Sequence, residues 1–278
     1  MDLLHHISDV RALRSSLGNL ALVPTMGALH AGHVSLFQKA RSLAPHVAAT
    51  IFVNPTQFGP REDFSKYPRT LEADLQKCRE AGVGSVFVPK VEEMYPPGSP
   101  DIAIEMPGLS DTLEGQKRPG HFKGVCQVVL KLFNVFTPTH ACFGEKDYQQ
   151  LRIITAMAES LNLTVEIVPC PTLREPDGLA MSSRNRYLSP AERQQALAIS
   201  KALRAAELGF QQGFRQTNRL TTTMLHILLE SHLLVDYVAA VDPITFKPVQ
   251  EAVKPTLLAI AARVGATRLI DNVVLGAK

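Results

Sequence analysis

Asn19-Leu20-Ala21-Leu22-Val23-Pro24-Thr25-Met26-Gly27-Ala28-Leu29-His30-Ala31-Gly32-His33-Val34-Ser35-Leu36 decides how this chain folds. Leu20 to Val23 is a short apolar run closed by Pro24, the pattern of a buried strand. Gly27 supplies a turn, and Val34, Leu36 and Phe37 open a helical pattern. A strand, a glycine-containing loop and a helix N-terminus therefore follow one another. Free N–H groups and the helix macrodipole at such a start favour an anion. His30 and His33 lie three apart, so both rings face one side once the helix is under way. Gly32 between them lets a flat or bulky group approach the backbone.

Two familiar phosphate loops are excluded. Gly27 and Gly32 have P-loop spacing, but His33-Val34 stands where Lys-Ser/Thr would hold phosphate and magnesium. The dinucleotide fingerprint G-x-G-x-x-G is absent, and Gly82-Val83-Gly84 reads as a turn before a strand. His-Ala-Gly-His after a strand resembles the HIGH motif of nucleotidylyl transferases and class I aminoacyl-tRNA synthetases.

With 278 residues, 45% of them hydrophobic, the chain can make one large domain or two ordinary ones. No apolar run reaches the roughly 18 residues of a membrane span, and no signal peptide is expected. Cys78, Cys126, Cys142 and Cys170 are widely spaced, which suits reduced, buried thiols and a cytoplasmic protein. His5-His6 is an isolated pair at a terminus expected to be frayed. The net charge of +3 comes without a Lys/Arg block, so nucleic acid is not the default partner.

Strand and helix signals alternate onward from Leu20. A helix to about Leu43, a strand over Val47–Val53, a helix over 70–81 and a strand over Ser85–Val88 come first. A strongly apolar helix over Val125–Phe136, a strand over His140–Phe143, a helix over Tyr148–Leu161 and a strand over Thr164–Val168 follow. Repeated β-α-β order predicts an α/β fold with a doubly wound parallel sheet, ligands lying at the carboxyl ends of its strands. Ser189-Pro190-Ala191-Glu192 is a strong helix start, with N-cap Ser, Pro at N1 and Glu at N3. The domain boundary is placed near 176, giving 1–176 as the Rossmann-like domain. Residues 177–278 form a smaller α+β lid or interface domain, with helices near 190–208 and 217–231 and strands near 234–241 and 257–264.

Several loops follow strands and carry chemistry. In Asn54-Pro55-Thr56-Gln57-Phe58-Gly59, the Asn and Gln either cap a turn or hold a polar small molecule through Gln57. Gly59 through Tyr67 is polar and reads as a flap. Asp74 on the 70–81 helix reads most simply as a solvated carboxylate. Glu114-Gly115-Gln116-Lys117-Arg118-Pro119-Gly120-His121-Phe122-Lys123-Gly124 suits an anion or carboxylate site, or a solvated loop. In Gly144-Glu145-Lys146-Asp147-Tyr148-Gln149-Gln150, Lys146 can place its ammonium on phosphate oxygens, or Asp147 simply caps a helix. Gln150 returns to about the same face as Asp147. Met181-Ser182-Ser183-Arg184 offers hydroxyl, N–H and guanidinium donors to a triphosphate.

In this order, Pro24 to His33, Val53 to Phe58, Tyr67-Pro68-Arg69-Thr70, Arg118 to Phe122, Phe143 to Gln150 and Met181 to Asn185 closely resemble the pantothenate synthetase (pantoate–β-alanine ligase) family. The likeness runs from about residue 18 to 190 and returns at Thr267-Arg268-Leu269-Ile270-Asp271-Asn272. It implies ATP-dependent ligation of pantoate and β-alanine through a pantoyl adenylate, releasing pyrophosphate and AMP. It implies that Met26, Gly27, Ala28, Leu29, His30, Ala31, Gly32, His33, Gly144, Glu145, Lys146, Asp147, Leu173, Met181, Ser182, Ser183 and Arg184 surround ATP. Gln57 and Gln150 would hold pantoate, Gln57 also standing near β-alanine. His33 is the family's proton donor; His30, Lys146, Ser182, Ser183 and Arg184 share the stabilisation of phosphate charge. Magnesium would bridge phosphate oxygens with Asp74 as its protein contact, and a homodimer is implied. The Met-Ser-Ser-Arg segment stands where distant relatives carry KMSKS, without its lysines, so positive charge must come from Lys146 and Arg184.

Two other readings stay open from residues alone. A sister nucleotidylyl transferase would share His30 and His33 without needing Gln57 and Gln150. An RNA-binding module is suggested by the pI of 8.7 and opposed by the lack of a basic stripe.

Overall fold

The computed structural model describes residues 1–60 and 62–276; residue 61, within the expected flap, lies outside the described residues. The chain divides into two compact units. The first comprises Met1–Ser110, Arg118–Glu145 and Gln149–Pro171. The second runs from Thr172 onward and also includes Asp111–Lys117 and Lys146–Tyr148.

The sheet of the first unit is wholly parallel, in the order β1-β4-β3-β2-β5-β6. Its strands are β1 (Asp2–Leu4), β2 (Leu20–Val23), β3 (His46–Thr50), β4 (Ser85–Phe87), β5 (His140–Gly144) and β6 (Glu166–Cys170). The helices in chain order are α1 (Ile7–Ser15), α2 (Ala31–Arg41), α3 (Leu71–Glu80), α4 (Val91–Met94), α5 (Leu113–Lys117), α6 (His121–Phe136) and α7 (Tyr148–Ser160); α5 belongs to the second unit. Successive side chains of a strand face opposite ways, and here both faces are covered. Leu20 and Leu22 pack in one cluster with Val129, Phe133 and Phe136 of α6 and Ile153 of α7. Ala21 and Val23 pack in the other with Phe37 of α2 and Leu75 and Cys78 of α3. That double coverage explains why β2 reads as an unbroken apolar run.

The chain leaves β2 for β3 and β4 on one side, then returns to place β5 and β6 on the other. Strand order reverses around β2, where open α/β sheets bind ligands beyond their carboxyl ends. The loop after β2 is thus favoured by topology as well as by composition.

Three sequence expectations need correction. Asp2–Leu4 is a strand paired with Ser85–Phe87, and His5 Nδ1 lies 2.8 Å from the Val88 carbonyl oxygen, so the terminus is not frayed. A three-residue edge strand is too short to show alternation. Helix α6 begins at His121 rather than Val125, with Gly120 left-handed at φ 81° before it. Its buried stripe already includes Phe122, and each of Phe122, Val125, Leu132, Phe133 and Phe136 is at most 4% exposed. Burial at about 1.5–3 kcal/mol per such side chain outweighs the weak helix propensity of Gly124. Finally, the strand expected over Thr164–Val168 runs Glu166–Cys170.

The second unit holds α8 (Pro190–Gln211), α9 (Thr217–Glu230) and an antiparallel sheet of β7 (Leu234–Val241), β8 (Thr256–Val264) and β9 (Thr267–Leu275). Ser189 caps α8 as expected: its Oγ accepts from Glu192 N at 3.3 Å, and Glu192 Oε2 accepts from Ser189 N at 2.8 Å. Ile199, Leu203, Met224, Leu258 and Ile260 form its core. Glu114 fastens α5 into this unit. Its buried carboxylate accepts from Arg268 Nη1 and Nη2 at 2.6 and 2.7 Å and from Tyr237 Oη at 2.8 Å. A buried carboxylate is tolerated only when so paired.

All four cysteines are free and buried. Burial pushes the thiols of Cys78 and Cys126 up to about 12, so they stay protonated and inert at neutral pH. Among the described residues no helix is long and apolar enough to cross a membrane.

Candidate active site

In the first unit the loop after β2 turns through Gly27 and Ala28, both left-handed at φ 80° and 52°. Gly27 is required twice over. Its φ disfavours a side chain, and a Cβ would meet Ile51 Cγ2 at 3.0 Å and Asp74 Oδ2 at 3.1 Å. This turn points successive N–H groups inward as an anion-binding nest. The anion in it is Asp74: Oδ2 accepts from Ala28 N at 2.9 Å and Oδ1 from Leu29 N at 2.8 Å. Thr70 Oγ1 adds a bond at 3.2 Å. The side chain is therefore not the solvated carboxylate that its helix position suggests; Asp74 is 1% exposed. Both oxygens already hold buried loop amides, so Asp74 serves here as a clamp on this turn rather than as a solvent-facing magnesium ligand, and among the described residues no cluster of three or more His, Cys, Asp or Glu could hold a metal.

Asp74→Ala is expected to strand two buried amides at about 1–3 kcal/mol each, lowering the urea midpoint along with the rate of ATP consumption. For a clamp, that rate loss stays constant across a magnesium titration. Rescue by excess magnesium would reinstate the metal role.

Helix α2 is capped by its own two histidines. Gly32 N donates to His30 Nδ1 at 3.2 Å, and His30 N donates to His33 Nδ1 at 3.2 Å. It is a reciprocal capping box built from imidazoles in place of Ser and Glu. Because each Nδ1 accepts a backbone hydrogen, the proton of each neutral ring sits on Nε2. The ring centroids are 4.1 Å apart, so the shared face expected from their spacing is realised.

Gln57 ends the 3-10 turn Pro55–Gln57 and is 8% exposed. Its Nε2 donates to Met26 Sδ at 3.3 Å and its Oε1 accepts from Asn54 Nδ2 at 3.2 Å. Asn54 performs the turn-holding role, also accepting Tyr95 Oη at 2.8 Å and donating to the Gly124 carbonyl at 3.2 Å. In the basic loop before α6, Arg118 and His121 are engaged by the protein itself. Arg118 forks onto Glu62 at 2.9 and 2.6 Å, and its Nη1 donates to His121 Nε2 at 2.9 Å. His121 Nδ1–H in turn donates to the Gln57 carbonyl at 2.8 Å. Arg118 thus binds a carboxylate of the protein's own, and the relay fixes Gln57. Phe58 packs on Phe64 and Tyr67, which anchors the described part of the expected flap.

Gly124 is the residue that spacing could not reveal. A Cβ there would lie 2.3 Å from the Thr56 carbonyl oxygen and 2.6 Å from Gln57 N. Gly124→Ala is expected to push the turn outward at about 1–3 kcal/mol. The urea midpoint should fall accordingly. An unchanged midpoint would show that the Pro55–Gln57 turn can yield to a side chain at this position. Of the adjacent glutamines on α7, Gln149 is buried and donates to the Leu109 carbonyl at 2.7 Å, while Gln150 is half-buried.

In the second unit Lys146 is 19% exposed at its side chain, with Nζ 3.7 Å from Asp147 Oδ1. Residues Leu173 to Met181 form a short hairpin, Met181 N donating to the Leu173 carbonyl at 3.0 Å. Ser182 Oγ accepts from Arg184 N at 3.2 Å, and Ser183 is buried.

A doubly wound parallel sheet whose central strand leads into an H-x-G-H helix start defines a HIGH-motif α/β protein of the nucleotidylyl transferase kind. Comparison with known proteins sharpens this. The sequence profile of the pantoate-beta-alanine ligase family matches residues 2–274, and the chain belongs to that family. It is 51% identical to the pantothenate synthetase of Acidobacterium capsulatum over 259 residues, covering 93% of this chain and 86% of that one. Against the Geobacter sulfurreducens pantothenate synthetase it is 48% identical over 281 residues, covering 99% of each. The crystal structure of the pantothenate synthetase of Thermus thermophilus superimposes with a TM-score of 0.93 at 42% identity, covering 98% of this chain and 99% of that one. The pantoate-beta-alanine ligase of Francisella tularensis, solved in complex with beta-gamma ATP and beta-alanine, gives 0.83 at 33% identity, covering 100% and 99%. The activity is that of a pantoate–β-alanine ligase.

Proposed function

We propose that the ligation runs in two steps through a pantoyl adenylate. A carboxylate is a poor acyl electrophile, so the pantoate oxygen first attacks the α-phosphorus of ATP. The bond to the bridging oxygen breaks and pyrophosphate leaves. The neutral amine of β-alanine then attacks the acyl carbon; the C–N bond forms, the C–O bond to AMP breaks, and the amine loses a proton.

One observation carries this reading: the imidazole capping box places the ring protons of His30 and His33 on Nε2, as donors at a helix N-terminus beyond β2. Donors preorganised there suit charge developing on phosphate oxygens. In this proposal Met26 to His33, Gly144 to Asp147, Leu173 and Met181 to Arg184 surround ATP. Gln57 and Gln150 hold pantoate, and Gln57 also lies near β-alanine. Magnesium would come with the phosphates, whose charge it neutralises, and no residue of this chain is assigned to it.

The test is pantoate-dependent exchange of labelled pyrophosphate into ATP without β-alanine. An adenylate route gives exchange, whereas a concerted route gives none. A homodimer belongs to the proposal, and a monomeric mass by light scattering at micromolar concentration would refute it.

A further inference from the structure

Strand β9 is an edge of its sheet, pairing among the described residues with β8 alone. Two consecutive residues on it, Asp271 and Asn272, serve different segments of the second unit. Asp271 has a side chain 1% exposed and accepts from Arg174 Nη1 at 2.6 Å and Nη2 at 3.1 Å. Arg174 Nη1 also donates to the Gly178 carbonyl at 3.2 Å, closing the 173–181 hairpin from the inside. That hairpin is ordered by Glu175 N on the Leu179 carbonyl at 2.8 Å and by the bridge between Arg174 and Ala180, and it leads directly into Met181 to Arg184. Asn272 turns the other way: its Nδ2 donates to the main-chain oxygen of Lys146 at 2.9 Å. Adjacent strand residues face opposite sides, so one dipeptide can grip two segments that are far apart in sequence.

We propose that Asp271 and Asn272 are positioning residues that hold Lys146 and the Ser182–Arg184 segment in fixed register for the phosphates of ATP. Neither acts on substrate itself. Asn272 sets where the Lys146 backbone, and hence the base of its ammonium stem, begins. Asp271 sets where the hairpin delivers the hydroxyls and Arg184. The inference rests on the assignment of Lys146 and Ser182–Arg184 to phosphate binding.

Asn272→Asp is the sharpest variant, because it keeps the shape while turning an acceptor toward the Lys146 oxygen. Asn272→Ala removes the donor outright, and urea midpoints of both variants control for folding. Each is expected to lower pantoate-dependent pyrophosphate release about 10–100-fold, the scale of a small misplacement of a charged group. Turnover of supplied pantoyl adenylate with β-alanine should change by less than about 3-fold, since the departing group is then AMP. A double-mutant cycle with Lys146→Met identifies the route. On that background Asn272→Ala should add almost nothing, whereas Asp271→Asn, acting through the hairpin, should still add its own loss. Full activity of Asn272→Asp beside a defective Lys146→Met overturns the positioning role while leaving the Lys146 assignment intact. Normal pyrophosphate release by Lys146→Met overturns both. Equal losses in the two half-reactions, additive with Lys146→Met, would make the dipeptide merely structural.

Discussion

Lys146→Ala is expected to lower pantoate-dependent pyrophosphate release by roughly 10²–10³-fold, the scale for one preorganised donor, yet to leave turnover of supplied pantoyl adenylate nearly intact. Lys146 follows β5, a neighbour of the central β2, and most of its side chain is shielded from solvent. Its Nζ sits 3.7 Å from Asp147 Oδ1, long for a salt bridge, so the ammonium is not neutralised in a tight local pair. On the proposed adenylate route, pyrophosphate carries most of the charge that must be stabilised in the first step. A partly desolvated ammonium acts strongly there. The second step of that route needs a neutral amine and releases AMP, so much less depends on this lysine. Lys146→Met keeps most of the stem's packing and should behave as the Ala variant does, separating charge from volume. Equal losses in both half-reactions would place Lys146 on the shared adenylate or in the fold.

What could be read in the sequence was local, and what escaped it was pairing over distance. Leu20–Val23 announces a strand because both faces are buried, and Ser189 with Glu192 announces a helix start because the two lie one turn apart. His30 and His33 are visible for the same reason, although spacing alone does not say that they cap the helix themselves. Asp74 is different. Its helical spacing gives no sign that Ala28 and Leu29, 46 and 45 residues away, will use its oxygens. Gly124 looks like a loop glycine until the Pro55–Gln57 turn is laid against it. Arg118 and His121 look like donors for a ligand because Glu62 and the Gln57 carbonyl reach them only in the folded chain. β9 shows the same limit: its motif was recognisable, but its pairing with β8 and the grip of Asn272 on Lys146 were not. The local code marked the loops that follow strands, and long-range hydrogen bonds decide which of their polar groups the fold itself uses.

His33 caps α2 and, in the proposal, also acts on phosphate charge, so its replacement must be designed to separate the two. The ring accepts the His30 N–H at Nδ1 and carries its proton on Nε2. Removing the whole ring therefore deletes a cap and a donor together. His33→Ala should lose about 0.5–2 kcal/mol of stability, the usual value of an N-terminal cap, along with adenylation. His33→Asn is more informative. Its Oδ1 can stand near the position of Nδ1 and still accept the His30 N–H, while nothing replaces the Nε2 donor. His33→Gln reverses the bias, because its longer amide reaches toward the Nε2 position and forfeits the cap. If His33 acts on phosphate charge, His33→Asn should unfold at nearly the native urea midpoint and still release pyrophosphate roughly 10²–10³-fold more slowly, one donor's worth. His33→Gln should be the less stable of the two and the more active. The effect should fall on kcat more than on the ATP KM, since a donor aimed at developing charge binds the transition state better than the ground state. Near-normal pyrophosphate release by His33→Asn would remove His33 from the chemistry and leave it as the cap of α2 alone.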